Sequence, residues 1–317
     1  MSDGFAVVRA KGGEGRSSWR PNVPAQIAPL VLLLLTVGLL QAVSATPLGY
    51  FEFSTITASA TTLALAVIGG TIVIIGGGLD LSVGAVVSLV NVVLVAFLGP
   101  LDLPPPHYAV LSLTVSLALG FGVGAVNGAL VGYLGLQSII VTLATMFVVS
   151  GLALLLLPYP GGTFSYEASM YFAGDVVQGL LPAPLVVIGI GLLAWGWLRR
   201  TRLGLAIYSV GSDGEAAAMN GVRTASTRFW SFAIGGAFYG AAGLFVTANS
   251  GSGDPLIGAA MLLKVFAAIA LGGTVIGGGR FSLVGHLGAL LLFGSFLAIL
   301  GLGQGAVILS GGLDLSV

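Results

Sequence analysis

The chain has 317 residues, of which 56% are hydrophobic and only 7% charged, and its eleven basic and eleven acidic side chains leave no net charge. An ordinary soluble domain carries about 25% charged residues, so this much apolar surface exceeds what one water-soluble core hides, and lipid is the remaining solvent. No cysteine is present, which excludes disulfide frameworks, thiolate zinc sites and cysteine nucleophiles, and the balanced charge gives no nucleic-acid footprint.

Residues 1–24 carry Arg9, Lys11, Arg16 and Arg20 among glycines and serines and read as a disordered tail. The apolar run Ile27 to Val43 follows. No good small-x-small cleavage site follows it ahead of an exported domain, so it is expected to be a first membrane anchor rather than a secretory signal. A spanning helix needs roughly 20 mostly apolar residues. Further spans are expected near 58–76, 83–98, 108–134, 138–157, 183–198, 229–248, 257–278 and 281–301, with 58–76 and 183–198 short. The 51 glycines fit this reading, because small residues let helix backbones approach closely in a bilayer. The fold class is therefore an all-α integral membrane protein of about nine transmembrane helices plus a partial tenth.

The connections sort by charge. Arg199, Arg200, Arg202, Arg223, Arg228 and Arg280 fall on the side of the basic tail, whereas Glu52, Asp102, Glu167, Asp175 and Asp254 fall on the other. Basic residues stay cytoplasmic during insertion, so the N-terminus is expected inside. The longest inner connection, Thr201 to Thr227, contains Gly211-Ser-Asp-Gly-Glu215-Ala216-Ala217-Ala-Met-Asn-Gly221, a short helix-favouring stretch between glycines. It reads either as a solvated loop helix or as a helix offered to a cytoplasmic protein. The outer connection Pro158 to Pro182 is rich in aromatics and suits the membrane surface.

Gly76-Gly-Gly-Leu-Asp80-Leu-Ser82-Val-Gly84 joins two apolar segments. The glycines turn the chain tightly and Asp80 or Ser82 caps the next helix; a plain turn with an N-cap and a direct transport role stand as equal readings. Lys264 lies within the apolar run Met261 to Leu271, where an isolated cation costs roughly 3 kcal/mol and is by default a functional candidate. A backbone carbonyl or a wet cavity would satisfy it as well. Asn127 and Gln137 are more often hydrogen-bond glue between helices than ligands. His107 and His286 show no metal spacing, and no metal site is expected. Leu309-Ser-Gly-Gly-Leu313 looks like the signature loop of an ABC ATPase, but no Gly-x-x-x-x-Gly-Lys-Ser/Thr phosphate loop accompanies it.

Together these blocks resemble the ribose-type ABC sugar permeases. Gly77-Gly-Leu-Asp-Leu-Ser-Val-Gly84 is similar to that family's early motif. Gly124-Ala-Val-Asn127-Gly128 and Gln137-Ser-Ile-Ile-Val-Thr142-Leu are similar to its next two blocks, in order. Gly211 to Gly221 resembles its ATPase-coupling segment, and Leu271-Gly-Gly-Thr274 with Gly277-Gly-Gly-Arg280-Phe-Ser its late glycine-rich block. The resemblance implies a permease domain over residues 25–301, multi-pass in the bacterial inner membrane. It also implies cytoplasmic ATPase subunits that use the ATP, a periplasmic or lipid-anchored sugar-binding protein, a second permease copy, and no cofactor on this chain. It assigns Gly211, Glu215, Ala216, Ala217 and Gly221 to coupling, and Asp80, Ser82, Asn127, Gln137, Thr142 and Lys264 to the translocation path or its structural frame, with no catalytic residue. Many sugar members carry an acidic residue where Lys264 stands, and a lysine there looks more like the related branched-chain amino-acid permeases. That solute class, another small polar solute and an ion-coupled secondary transporter are the alternatives. A membrane enzyme finds no paired carboxylates and no nucleophile–base set. Finally, Gly77-Gly-Leu-Asp-Leu-Ser-Val83 recurs as Gly311-Gly-Leu-Asp-Leu-Ser-Val317, so residues 302–317 are expected to be the partial start of a second permease-like repeat, a fragment or fusion remnant.

Overall fold

The computed structural model describes residues 49–271, together with Leu35, Gly38 and Gln41, which are helical. The expectations for the basic tail, most of the first span, the end of the 257–278 span, the glycine-rich block, the 281–301 span and the repeat at 302–317 lie outside the described residues.

Helix α1 (Tyr50–Ile75) begins where the Glu52 carboxylate accepts the Gly49 backbone N–H at 2.8 Å. It therefore starts a full two turns before the apolar run that predicts it, because Glu52, Ser54 and Thr55 extend the helix without being apolar. Every residue from Ala60 to Ile75 is buried, so α1 is a central helix. It ends on glycines: the Gly76 N–H donates to the Ile72 carbonyl, Gly77 to Ile74 and Gly78 to Val73. Gly77 has φ +79°, the left-handed conformation that closes a helix and that a side chain would strain.

Helix α2 (Val83–Val93) continues as a π turn, Leu94–Leu98, and is buried almost throughout. At 16 residues it is about 24 Å long, short of the roughly 30 Å hydrocarbon core. Protein surrounds it rather than lipid: α3 (Pro105–Gly132), α4 (Ser138–Leu156) and α9 (Thr224–Ser250) all pack against it.

Helices α3 and α9 run antiparallel along a seam of small residues. A Cβ added to Gly120 would meet the Gly236 carbonyl, one on Gly124 the Phe232 carbonyl, and one on Gly132 the Ala225 carbonyl. The opposite face of α3 is apolar and exposed at Val110, Leu117, Phe121 and Val126, as a lipid-facing surface requires.

Helix α5 (Tyr166–Ala173) and a ribbon, β1 (Asp175–Val177) paired antiparallel with β2 (Leu181–Pro182), lie between α4 and α6 (Ala183–Leu198). This ribbon, with an isolated antiparallel bridge between Gly161 and Gly253, adds to the all-α expectation. The Tyr50 hydroxyl donates to Asp175 Oδ1 at 2.5 Å and ties the ribbon to the start of α1. Beyond α6 come α7 (Arg202–Ser212) and α8 (Gly214–Met219), and α10 (Met261–Leu271) closes the described chain. Four of these helices, α1, α3, α4 and α9, are long and apolar enough to cross a membrane. A fifth span arises only by joining α6 to α7, which are bent 77° from one another.

Candidate functional site

The 76–82 turn folds into the protein, where polar atoms must find partners or cost several kcal/mol each. The Asp80 side chain is buried, and its Oδ1 accepts from the Ser82 backbone N–H at 2.9 Å and the Ser82 hydroxyl at 2.6 Å. Ser82 Oγ accepts from Asn127 Nδ2 at 3.0 Å, and Asn127 Oδ1 accepts from the Thr145 hydroxyl at 2.6 Å. One polar chain therefore links the turn to α3 and α4. A second set of bonds runs along its flank. The Leu79 N–H donates to Ser138 Oγ at 3.1 Å, the Leu81 N–H donates to Thr142 Oγ1 at 3.1 Å, and the Thr142 hydroxyl lies 3.2 Å from the Leu79 carbonyl. The first two turns of α4 thus supply partners that the irregular backbone lacks.

Asp80 Oδ2 is buried and has no hydrogen-bond partner, and the same holds for the hydroxyl of Tyr239 on α9. Asp80 closes the turn on Ser82, but neither side chain accepts a first-turn N–H of α2, so the expected turn is present without the expected side-chain cap, and this local turn is half of the site. The other half is the cross-helix bonding of Ser82 to Asn127.

The glycine end of the turn meets the 201–227 connection. A Cβ on Gly77 would lie 3.4 Å from the Gly211 Cα, and a Cβ on Gly211 would overlap the Ile75 carbonyl. Gly211 is the penultimate residue of α7, whose start is capped by Thr201 accepting the Gly204 N–H at 3.1 Å. Asp213 then caps α8 by accepting the N–H groups of Glu215 at 3.0 Å and Ala216 at 2.9 Å. Ala217 is buried against the protein, while Glu215, Ala218 and Met219 are exposed. Gly221, with φ +82°, turns the chain towards α9.

Of the expected path residues, Asp80, Ser82, Asn127 and Thr142 come together. Gln137 stands apart: it is exposed just before α4 and contributes its carbonyl to Val141. Lys264 stands on α10, half-buried, outside this network.

Residues 52–313 match the family described as branched-chain amino acid transport system / permease component. The chain belongs to that family. Among curated proteins, the permease is 30% identical over 271 residues to the ribose import permease protein of Escherichia coli strain K12, covering 83% of this chain and 82% of that one. It is 34% identical over 234 residues to the fructose import permease protein of Bifidobacterium longum, covering 71% and 63%. A third relative, the autoinducer 2 import system permease protein of Escherichia coli strain SMS-3-5, is 32% identical over 233 residues, covering 71% and 68%. No solved structure matches the permease.

The sequence reading missed Ser138 and Thr145, which carry as much of the network as the residues it chose, and Asn91 on α2. The available signal was the same for all three: a lone polar residue in or beside an apolar run must be bonded across helices.

Proposed function

We propose that this permease carries a small sugar, of the ribose or monosaccharide type, across the cytoplasmic membrane as the spanning subunit of an ABC importer. The observation that carries the reading is its similarity, over most of both chains, to a protein named for ribose import. The fructose import relative supports the same solute class. In this reading the chain has a cytoplasmic N-terminus and about nine spans, performs no covalent chemistry, and works beside cytoplasmic ATPases, a sugar-binding protein and a second permease copy.

The geometry supports a route for the ATPase stroke. Glu215, Ala216 and the exposed face of α8 meet the ATPase. The push passes through α7 to Gly211, and from there to Ile75 and Gly77 at the foot of the central helix. The polar chain from Asp80 to Thr145 makes α2, α3 and α4 respond together, and alternating access follows from their joint movement.

A branched-chain amino acid is the second reading, favoured by the family's description and by the cation at Lys264, which suits a carboxylate. Reconstitution with the partner ATPase and binding protein of its transport system separates the two. ATP-dependent uptake of labelled ribose with none of labelled leucine is the expected result, and the reverse pattern overturns the sugar assignment.

A further inference from the structure

Residues 251–260 leave the end of α9 and are not helical, yet they run back along α2. A Cβ on Gly258 would overlap the Gly84 carbonyl, and a Cβ on Gly84 the Gly258 carbonyl, so the two backbones are in direct contact. Gly84 lies in the first turn of α2, about 20 Å along the helix from Leu98 at the other end. The segment is therefore re-entrant, and α10 starts at Met261 deep within the protein rather than at its edge.

Non-helical backbone at such depth needs partners, since lipid supplies none. Gly253 pairs both ways with the Gly161 backbone, at 2.9 and 3.0 Å, and two side chains of α2 hold the rest. Asn91, fully buried, donates from Nδ2 to the Ser252 carbonyl at 3.0 Å and to Thr247 Oγ1 at 3.0 Å, and its Oδ1 accepts the Asp254 N–H at 2.6 Å. A backbone N–H only donates and a backbone carbonyl only accepts, so the amide's orientation is forced. An aspartate would lose both donations, and a leucine of similar size would lose all three bonds. One turn nearer the start of α2, Ser88 Oγ accepts the Gly258 N–H at 2.9 Å. The Gly258 carbonyl then accepts from the Met261 N–H at 2.9 Å, the first residue of α10. Asn91 and Ser88 thus hold the segment at both ends, and Lys264 follows three residues after Met261.

We propose that Asn91, assisted by Ser88, is the positioning residue that sets the depth at which the re-entrant segment gives way to α10, and with it the place of Lys264. The consequence for solute passage rests on the transport reading above; the positioning itself does not. Because the natural chain lacks cysteine, single cysteines report on this directly. Lys264→Cys, Ser252→Cys and Ser212→Cys are introduced separately into the full chain in native membranes. Their labelling by a membrane-impermeant methanethiosulfonate reagent is then timed with and without Asn91→Leu or Ser88→Ala. Loss of buried hydrogen bonds should accelerate labelling at positions 252 and 264 about tenfold with Asn91→Leu and less with Ser88→Ala, leaving position 212 unchanged. Unchanged rates at 252 and 264 in both variants overturn the proposal, as does an equal rise at 212, which would mean general loosening. Ribose uptake by the complete transporter is measured in parallel: in Asn91→Leu the expected change is a raised KM. A parent that imports no ribose but shows the local labelling change defeats the sugar reading and leaves the positioning role standing.

Discussion

Gly211 and Gly77 face each other at the foot of α1, with the Gly211 Cα 3.4 Å from where a Gly77 Cβ would stand. They belong to two motifs more than 130 residues apart in sequence, one expected to receive an ATPase and the other to line or frame the solute path. Their contact leaves no room for a side chain on Gly211, because its Cβ would overlap the Ile75 carbonyl. Gly211→Val should therefore separate α7 from α1. ATP hydrolysis by the assembled transporter is expected to persist while uptake falls to background, and measuring both on one preparation checks it. Normal uptake would show that the contact transmits nothing.

The outward face of α8 is expected to meet the ATPase. Met219 is 83% exposed, whereas Ala217 is buried, so Met219→Asp alters the surface without disturbing the packing beneath it. The variant should insert at normal yield but lose ATPase in co-purification. Retention of the ATPase at parental stoichiometry would count against docking at α8.

Breaking the polar chain should cost stability. Asn127→Ala removes the donor to Ser82, in a buried bond, and the acceptor for Thr145, in a part-buried one, and a destabilisation of about 1–3 kcal/mol is expected. Thr145→Val removes one bond and should cost less. Thermal unfolding of the detergent-solubilised chain gives the order, and equal melting temperatures for Asn127→Ala and the parent would contradict it.

The seam between α3 and α9 predicts a contrast between two glycines two residues apart. Gly124→Ala sets a methyl group against the Phe232 carbonyl, while at Gly122 a Cβ meets nothing within 4 Å. Overpacking at Gly124 should destabilise by about 1–3 kcal/mol. Gly122→Ala should be neutral or slightly stabilising, since alanine is the better helix former. The same melting assay distinguishes them.

Orientation is testable at exposed positions. Tyr159→Cys and Leu180→Cys, whose parent side chains are 81% and 73% exposed, should react with an impermeant thiol reagent in intact cells. Ser212→Cys should react only after lysis, and the opposite pattern would place the N-terminus outside.

Composition and apolar run length were enough to place this chain in a membrane, because lipid selects for uninterrupted apolar helices residue by residue. The runs at 138–157 and 183–198 reappear as α4 and α6 almost to the residue. The motif residues Asp80, Ser82, Asn127 and Thr142 were legible as well, since a polar side chain in an apolar stretch stands out whatever its partners are. Which of them touch was not legible. Gln137 and Thr142 share one block, yet only Thr142 reaches the 76–82 turn, because Ser138 and Thr142 stand four residues apart on the face of α4 that meets it, whereas Gln137 precedes the helix and is exposed. Hydropathy also treats every apolar run alike. It could not separate α2, short and enclosed by protein, from α4, apolar and largely exposed. Nor could it show that residues 251–260 re-enter alongside α2, since the bonds that permit this come from Ser88 and Asn91, some 160 to 170 residues earlier. Local sequence determines the solvent each segment tolerates; which segments lie inside, and which polar atoms satisfy one another, is decided only by packing between helices distant along the chain.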